Sequence, residues 1–448
     1  MKLFDTICAP ITVRGESSVA LIRISGNGAL SAAEKIFLSQ KPLSLYAGYR
    51  IVPGYLIREN GEKVDRCMAF VFRSPHSFTG EDIVELSFHG SAIITDMVMS
   101  MLLEYGVRAA RPGEFTRRAF MNGKMSLTEA EAVIDIIEAR TESVITRAEA
   151  NNNGLLDAKL TEYTHALMEI FSSLNLAIDF DEEGMDHTDW ENIEQQLCVI
   201  EKRLAQDIED SVRMLREKRG IHVVISGRPN VGKSTLMNAL LGQDRVLVSD
   251  VAGTTRDYVG EDIILSGHYV KVYDSAGLRD TDDVLESLGI EKAHRILQNA
   301  DIVLYVCDSD NPYTVETVKA YETNGCSVIP IMNKCDDANV SVPQACIAVS
   351  ARLNKNIDTV KARLTTVIEE LTHIGEGNGL FMTERQYDYC VRVHKKVSEA
   401  VELCKIDRRE EIISHSIRAA IEDLDVLSGK KITESMVESI FNRFCIGK

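Results

Sequence analysis

The sequence predicts a multidomain protein of mixed α+β and α/β class. An amino-terminal α+β domain is followed by a helical bundle built from two separated stretches, with an α/β domain inserted between them. Three observations predict this. Short β-rich runs alternate with turns and helical stretches over roughly the first 120 residues. Apolar residues recur at helical spacing on both sides of a central region. Inside that region short apolar runs alternate with helical segments, the pattern of a parallel-rich sheet flanked by helices.

The amino-terminal part rests on VALIRISG (19–26), CMAFVFRSP (67–75) and DIVELSFHG (82–90), with a helix expected at 93–104. From 124 to 218 the pattern is almost wholly helical. Ile193, Leu197, Ile200, Leu204, Ile208, Val212 and Leu215 recur every three or four residues and predict one apolar face of a long helix. At Gly220 the texture changes. IHVVISG (221–227), VKVYDSAG (270–277), DIVLYVCDSD (301–310), CSVIPIMNKCD (326–336) and ACIAVSA (345–351) are strand candidates. GEGNG (375–379) reads as a linker. Beyond it Tyr387, Val391, His394, Val397, Val401 and Cys404 share a helical face, and helices follow at 411–427 and 434–443. The expected boundaries are 1–121 for the first domain, 122–218 and 375–448 for the two helical stretches, and 219–374 for the insert.

The chain has 448 residues, enough for about three domains. Its 45% hydrophobic and 26% charged content fits a folded, water-soluble protein. No apolar run approaches the roughly 18 residues a membrane helix needs, and MKLFDTICAP lacks a secretory core, so a cytoplasmic chain is expected. Ten cysteines without a CxxC pair read as reduced thiols. A net charge of −18 argues against broad electrostatic binding of nucleic acid. Arg117-Arg118, Arg216 to Arg219 and His394 to Lys396 are expected on solvated helix faces. The terminal CIGK invites a lipid on Cys445, but lysine is a poor last residue for that and nothing upstream supplies a second anchoring signal.

Four separated motifs converge on one ligand. Gly227-Arg-Pro-Asn230-Val231-Gly232-Lys233-Ser234, followed by Thr235, matches GxxxxGK[ST] between a strand and a helix. The glycines let backbone N–H groups wrap around phosphates, Lys233 reaches the β- and γ-phosphates, and the Ser234 hydroxyl suits Mg²⁺. Asp274-Ser275-Ala276-Gly277 ends the next strongly apolar strand. Its Asp can hold a magnesium-bound water, and its Gly N–H can meet a γ-phosphate. Asn333-Lys334-Cys335-Asp336 closes another strand, and the Asp336 carboxylate can accept from guanine N1–H and its 2-amino group. Adenine lacks those donors, so GTP is favoured. Ser350-Ala351-Arg352 completes the base pocket, and Gly253-Thr254-Thr255-Arg256-Asp257 offers a threonine to close over Mg²⁺. The insert is therefore expected to be a Ras-like P-loop GTPase domain. Where Ras-like enzymes carry a water-orienting Gln, this chain has Leu278, so one of Asp280, Asp282, Asp283 and Glu286 must take that role.

Along nearly its whole length the chain resembles the MnmE (TrmE) family of tRNA-modifying GTPases. The resemblance is carried by DTICA (5–9), LIRISG (21–26), SFTGEDIVEL (77–86), RPGEFTRRAF (111–120), NGKMSLTEAEAV (122–133), GRPNVGKSTL, AGTTRD, DSAGLR and FCIGK. It implies an amino-terminal domain that binds folate and forms a homodimer. It also implies a flavoprotein partner, MnmG (GidA), joined in a heterotetramer. The joint product is a (carboxymethyl)aminomethyl group on carbon 5 of the wobble uridine of certain tRNAs, its one-carbon unit supplied by a 5-formyl- or 5,10-methylene-type tetrahydrofolate.

By the same resemblance Asn230, Ser249, Val251 and Thr254 would hold a potassium ion, within a loop (Ser249, Asp250, Val251, Ala252, Gly253) that lines the nucleotide. Thr255 would bind Mg²⁺ and Glu286 would orient the water. Arg23, Glu85, Lys124 and Lys448 would bind folate, with Cys445 near the one-carbon chemistry. VRGESSVA (13–20) replaces the family's Gly-rich run, and Ser249 a common Thr. An Era-like ribosome-assembly GTPase is the rival, but no GxxG RNA-binding module follows residue 352. A folate-binding scaffold with a degenerate GTPase is opposed by the intact Lys233, Ser234, Thr255 and Asp336.

Overall fold

Period-two burial builds the amino-terminal sheet. The computed structural model describes residues 5–181, 189–242, 260–274, 298–322, 325–336, 341–373 and 379–448. Strands β1 (Ile7–Pro10), β2 (Ser17–Ser25), β3 (Phe37–Leu38), β4 (Arg50–Ile57), β5 (Lys63–Phe72), β6 (Ile83–Gly90) and β7 (Arg108–Ala109) form one sheet in the order β3-β4-β5-β6-β2-β1-β7. Ala20, Ile22 and Ile24 of β2 share a core with Cys67, Ala69 and Val71 of β5 and Val84, Leu86 and Phe88 of β6. Helices α1 (Ala29–Ile36) and α2 (Ala92–Glu104) cover that face, burying Ala33, Ile36, Val98 and Leu102. On the other face Arg23 stands across from Glu85, and Glu85 across from Phe70. Helix α3 (Glu114–Met121) brings Phe115 against Ile7 and Ala9 there.

Beyond α3 run α4 (Leu127–Glu138), α5 (Glu142–Asn152), α6 (Leu155–Asp181) and α7 (Trp190–Arg219). The second sheet has strands β8 (Ile221–Gly227), β9 (Gly260–Leu265), β10 (His268–Asp274), β11 (Ile302–Cys307), β12 (Ser327–Met332) and β13 (Ile347–Ala348), in the order β13-β12-β11-β8-β10-β9. All its pairings are parallel except β9 with β10. Helices α8 (Lys233–Leu241) and α10 (Ile357–Thr372) pack on one face, and α9 (Val315–Glu322) on the other through Val318. The chain ends with α11 (Glu384–Ile406), α12 (Glu410–Leu427) and α13 (Glu434–Phe441).

Two compact units result. One is Met1–Ile134, Ala150–Glu194 and Glu399–Lys448; the other is Asp135–Glu149 and Gln195–Ser398. The first holds the seven-stranded sheet, where Leu127 and Ala130 of α4 pack with Val437, Ile440 and Phe441 of α13. The second holds the parallel sheet together with most of α5, α7 and α11.

Three expectations need correction. The buried face of α7 follows Ile193, Leu197, Ile200 and Leu204, but then passes to Asp207, Asp210, Ser211, Met214 and Glu217. Ile208, Val212 and Leu215 are only partly covered, because polar side chains take most of the buried positions in this half of the helix. On α11 the buried line is Gln386, Cys390, Val393 and Val397, while Val391 is exposed. Gln386 turns inward because its side-chain oxygen accepts from the N–H groups of Met382 and Thr383, closing the helix start. Arg118 is buried rather than solvated. It binds Asp5 at 2.6 Å, Glu81 at 3.1 Å and Glu114 at 3.2 Å.

Arg108 completes that network, 2.7 Å from Asp5 and 2.6 Å from Glu114. Its hydrogen bond lowers the Asp5 carboxyl below its usual range. Burial resists ionisation of Glu114, but Arg108 and the Arg111 N–H outweigh it and lower that carboxyl too. Such depressed carboxylates stabilise the fold fully above their unfolded range, and the contribution is lost as pH falls through the folded values. Arg118→Ala is expected to cost about 3–5 kcal/mol at pH 7, by leaving Glu81 without its cation and Asp5 and Glu114 to share Arg108. The gap from wild type should narrow below about pH 4 as those carboxylates protonate, read from urea midpoints at the two pH values.

Candidate functional site

β8 lies between β10 and β11, all three parallel, so the loop after Gly227 emerges at their carboxyl ends, where α/β sheets bind ligands. Glycine is required at both ends of that loop. Gly227 has φ +151°, and a Cβ there would meet Val306 O at 2.2 Å; Gly232 has φ +93°, and its Cβ would meet Asn333 Nδ2 at 2.3 Å. Asn230 takes a left-handed φ of 64° and is exposed. Buried Lys233 donates from Nζ to Gly227 O at 3.1 Å and to Arg228 O at 3.0 Å, so its cation sits inside the loop. Val231 is buried beneath the loop, and Thr235 is exposed on α8. The amino end of α8 adds N–H groups and a positive dipole end, suiting phosphate. Ser234 Oγ donates to Asp274 Oδ2 at 2.6 Å. A hydroxyl and a carboxylate oxygen this close form a donor set suited to a hard divalent cation.

The base corner is held by Asn333. Its Nδ2 donates to Val231 O at 2.9 Å, its Oδ1 accepts from Ala351 N at 3.0 Å, and its own N–H reaches Cys307 O at 2.8 Å. Asp336 is exposed, and Ser350 donates to its Oδ1. Cys335 N donates to Val349 O at 3.0 Å, joining this loop to the one that carries Ser350, Ala351 and exposed Arg352.

Sequence reasoning missed Asp308, which follows β11. Only 1% exposed, it accepts from Lys334 Nζ at 2.6 Å and from Asn311 at 2.9 and 3.1 Å. Burial opposes its ionisation, but the bonds from Lys334 and Asn311 prevail and lower its pKa. The available signal was a carboxylate ending a wholly apolar strand, DIVLYVCDSD.

In the other unit, Arg23 Nε is 2.8 Å from Glu85 Oε1, with its guanidinium 5.0 Å from the Phe78 ring and 5.4 Å from that of Phe115. Phe115 N donates to Lys448 O at 3.2 Å, which places the FCIGK segment beside the same aromatic residue. Lys124 is exposed, its stem against Gly80. Cys445 is exposed, and its carbonyl accepts from Gly113 N at 3.4 Å. Phe78 and Phe115 were not singled out from sequence. Ser249, Asp250, Val251, Ala252, Gly253, Thr254, Thr255, Ser275, Ala276, Gly277, Leu278 and Glu286 lie outside the described residues.

Asp336→Asn gives the sharpest check on the base corner. The amide repels guanine's donors, and losing a charged hydrogen bond worth about 3 kcal/mol should raise the KM for GTP roughly 100-fold. Xanthosine triphosphate, with an acceptor in place of the 2-amino group, should become the better substrate in steady-state hydrolysis.

Comparison with known proteins agrees with the geometry. Residues 6–124 match the family described as GTP-binding protein TrmE N-terminus, and residues 127–445 the MnmE helical domain. A tRNA modification GTPase MnmE of Fervidobacterium nodosum is 35% identical, over 99% of this chain and 98% of that one. Its namesake in Chloroflexus aurantiacus is 36% identical over 99% and 100%, and that of Thermosipho melanesiensis 32% over 100% of both. Among the described residues no helix is long and apolar enough to cross a membrane. A glycine-bounded loop around a buried lysine, an oxygen pair and the Asn333 junction, in a chain that matches these relatives end to end, make it a member of the MnmE family, a GTPase acting in tRNA modification.

Proposed function

We propose that the chain, acting in the cytoplasm, couples GTP hydrolysis to formation of a (carboxymethyl)aminomethyl group on carbon 5 of the wobble uridine, position 34, of certain tRNAs. It works with a flavoprotein of the MnmG (GidA) kind in a heterotetramer and draws one carbon from a tetrahydrofolate derivative. The observation that carries the folate part is the Arg23–Glu85 pair, held beside Phe78 and Phe115. A carboxylate there suits the donor edge of a pterin, and the aromatic rings give its flat face a neighbour. Lys124 and Lys448 would meet the acidic tail, with Cys445 close by.

In the nucleotide site Ser234 and Thr255 would hold Mg²⁺, with Asp274 behind them, and Asn230, Ser249, Val251 and Thr254 would hold K⁺. When bound, the two cations offset charge developing on the β- and γ-phosphates. Lys233 binds those phosphates, and Glu286 orients the water in place of a glutamine. Homodimer formation is supported by the outward face of β4 and β5. Ile51 pairs with Phe70 and Pro53 with Met68, and Ile51 is 61% and Met68 52% exposed.

Nucleoside analysis of tRNA from cells lacking the protein tests the reading. Position 34 should lose the modification, and unchanged wobble uridines would overturn it. Arg23→Ala should fail to restore the modification while hydrolysing GTP at the wild-type rate. Hydrolysis should run at least tenfold faster in potassium than in sodium, and Asn230→Ala should erase the difference; equal rates in the two salts for wild type would sink the potassium site.

A further inference from the structure

One hairpin separates the two segments that carry the switch motifs. β9 begins at Gly260, shortly after Thr255, and β10 ends at Asp274, immediately before Ser275. Ser266 (φ 50°) and Gly267 (φ 88°) make the tight turn between them, fixing the pairing of His268 with Leu265. At the nucleotide end β10 presents Asp274 to Ser234. At the turn end His268 Nδ1 lies 3.0 Å from Glu217 Oε2 on α7.

Glu217 is 4% exposed and also accepts from Ser143 Oγ at 2.9 Å. Its hydrogen bond, more than the opposing burial, raises the His268 pKa and favours a charged pair. A second fastening holds the same hairpin. Arg140 binds Asp262 at 3.1 Å and hydrogen-bonds Tyr269 Oη, stacking 4.4 Å over that ring. A cavity of about 280 Å³ opens beside His268 and Glu217, so the pair has room to adjust.

We propose that Glu217 and His268 are positioning residues for GTP hydrolysis, joining the hairpin turn to α7 so that the placement of Asp274 depends on the helices. The inference rests on the reading of Asp274 as part of the magnesium site. A strand paired on both sides moves as a unit, so a shift at its turn end is delivered to its carboxyl end.

Full-length Glu217→Gln and His268→Gln are compared with wild type at a temperature well below their melting points. The expected result is a fall in kcat of about three- to tenfold, the loss conferred by a coupling of 1 kcal/mol or so, at unchanged KM for GTP. The Mg²⁺ concentration for half-maximal rate should rise, and the double variant should be no worse than either single one. Ser143→Ala, which removes one bond to Glu217, should show the same pattern more weakly and serves if the others fail to fold. Variants that melt earlier yet keep kcat and magnesium dependence within twofold of wild type overturn the inference and leave the site reading intact. An Asp274→Asn protein with wild-type magnesium dependence overturns the site reading, and this inference with it.

Discussion

The nucleotide site depends on one buried side-chain amide. Asn333 bonds to the phosphate loop at Val231 O and to the base loop at Ala351 N, and its own N–H reaches the end of β11. Three loops from different parts of the chain are thereby referred to one rigid group, 4% exposed, in a region where an unmade hydrogen bond is expensive. Gly232 must lack a side chain because that amide lies against it. Asp308 acts similarly on Lys334, holding in place a cation whose backbone has a left-handed φ of 62°. The loop after Gly227 and the loops after β12 and β13 are therefore not independent modules.

The amino-terminal sheet is tied to α3 by charge pairing. Two arginines and three carboxylates, Arg108, Arg118, Asp5, Glu81 and Glu114, join the segment before β1 and strand β7 to α3 and the loop before β6. Desolvating so many charges is costly, and the return comes only if every lone pair is met. Here the network fixes the helix that carries Phe115, and Phe115 in turn borders Arg23 and the FCIGK segment. Cys445 takes part in that docking through its backbone: its carbonyl accepts from Gly113, and its thiol is exposed.

Sequence patterning made the two sheets legible because their strands bury alternate or continuous apolar residues, as in β2, β6, β8 and β11. The loop from Gly227 to Gly232 was legible because close backbone approach tolerates few residue types. Patterning failed on α7 and α11, where buried positions are polar. Asp207, Ser211 and Glu217 look like a solvated face when only hydrophobicity is counted, and Gln386 looks like an exposed residue until its capping role is seen. Arg118 failed for the same reason, since charge predicts exposure unless partners are known. Those partners stand as far as 113 positions away.

By itself the sequence determined the alternation of strands and helices and the family. These follow from short-range spacing and from residue types that few chemistries share. Only the tertiary structure decided which distant polar groups meet: Arg23 with Phe78 and Phe115, Lys334 with Asp308, Glu217 with His268. Hydrogen bonds and ion pairs are directional and act over about 3 Å, so one sequence pattern permits many pairings, and packing selects among them.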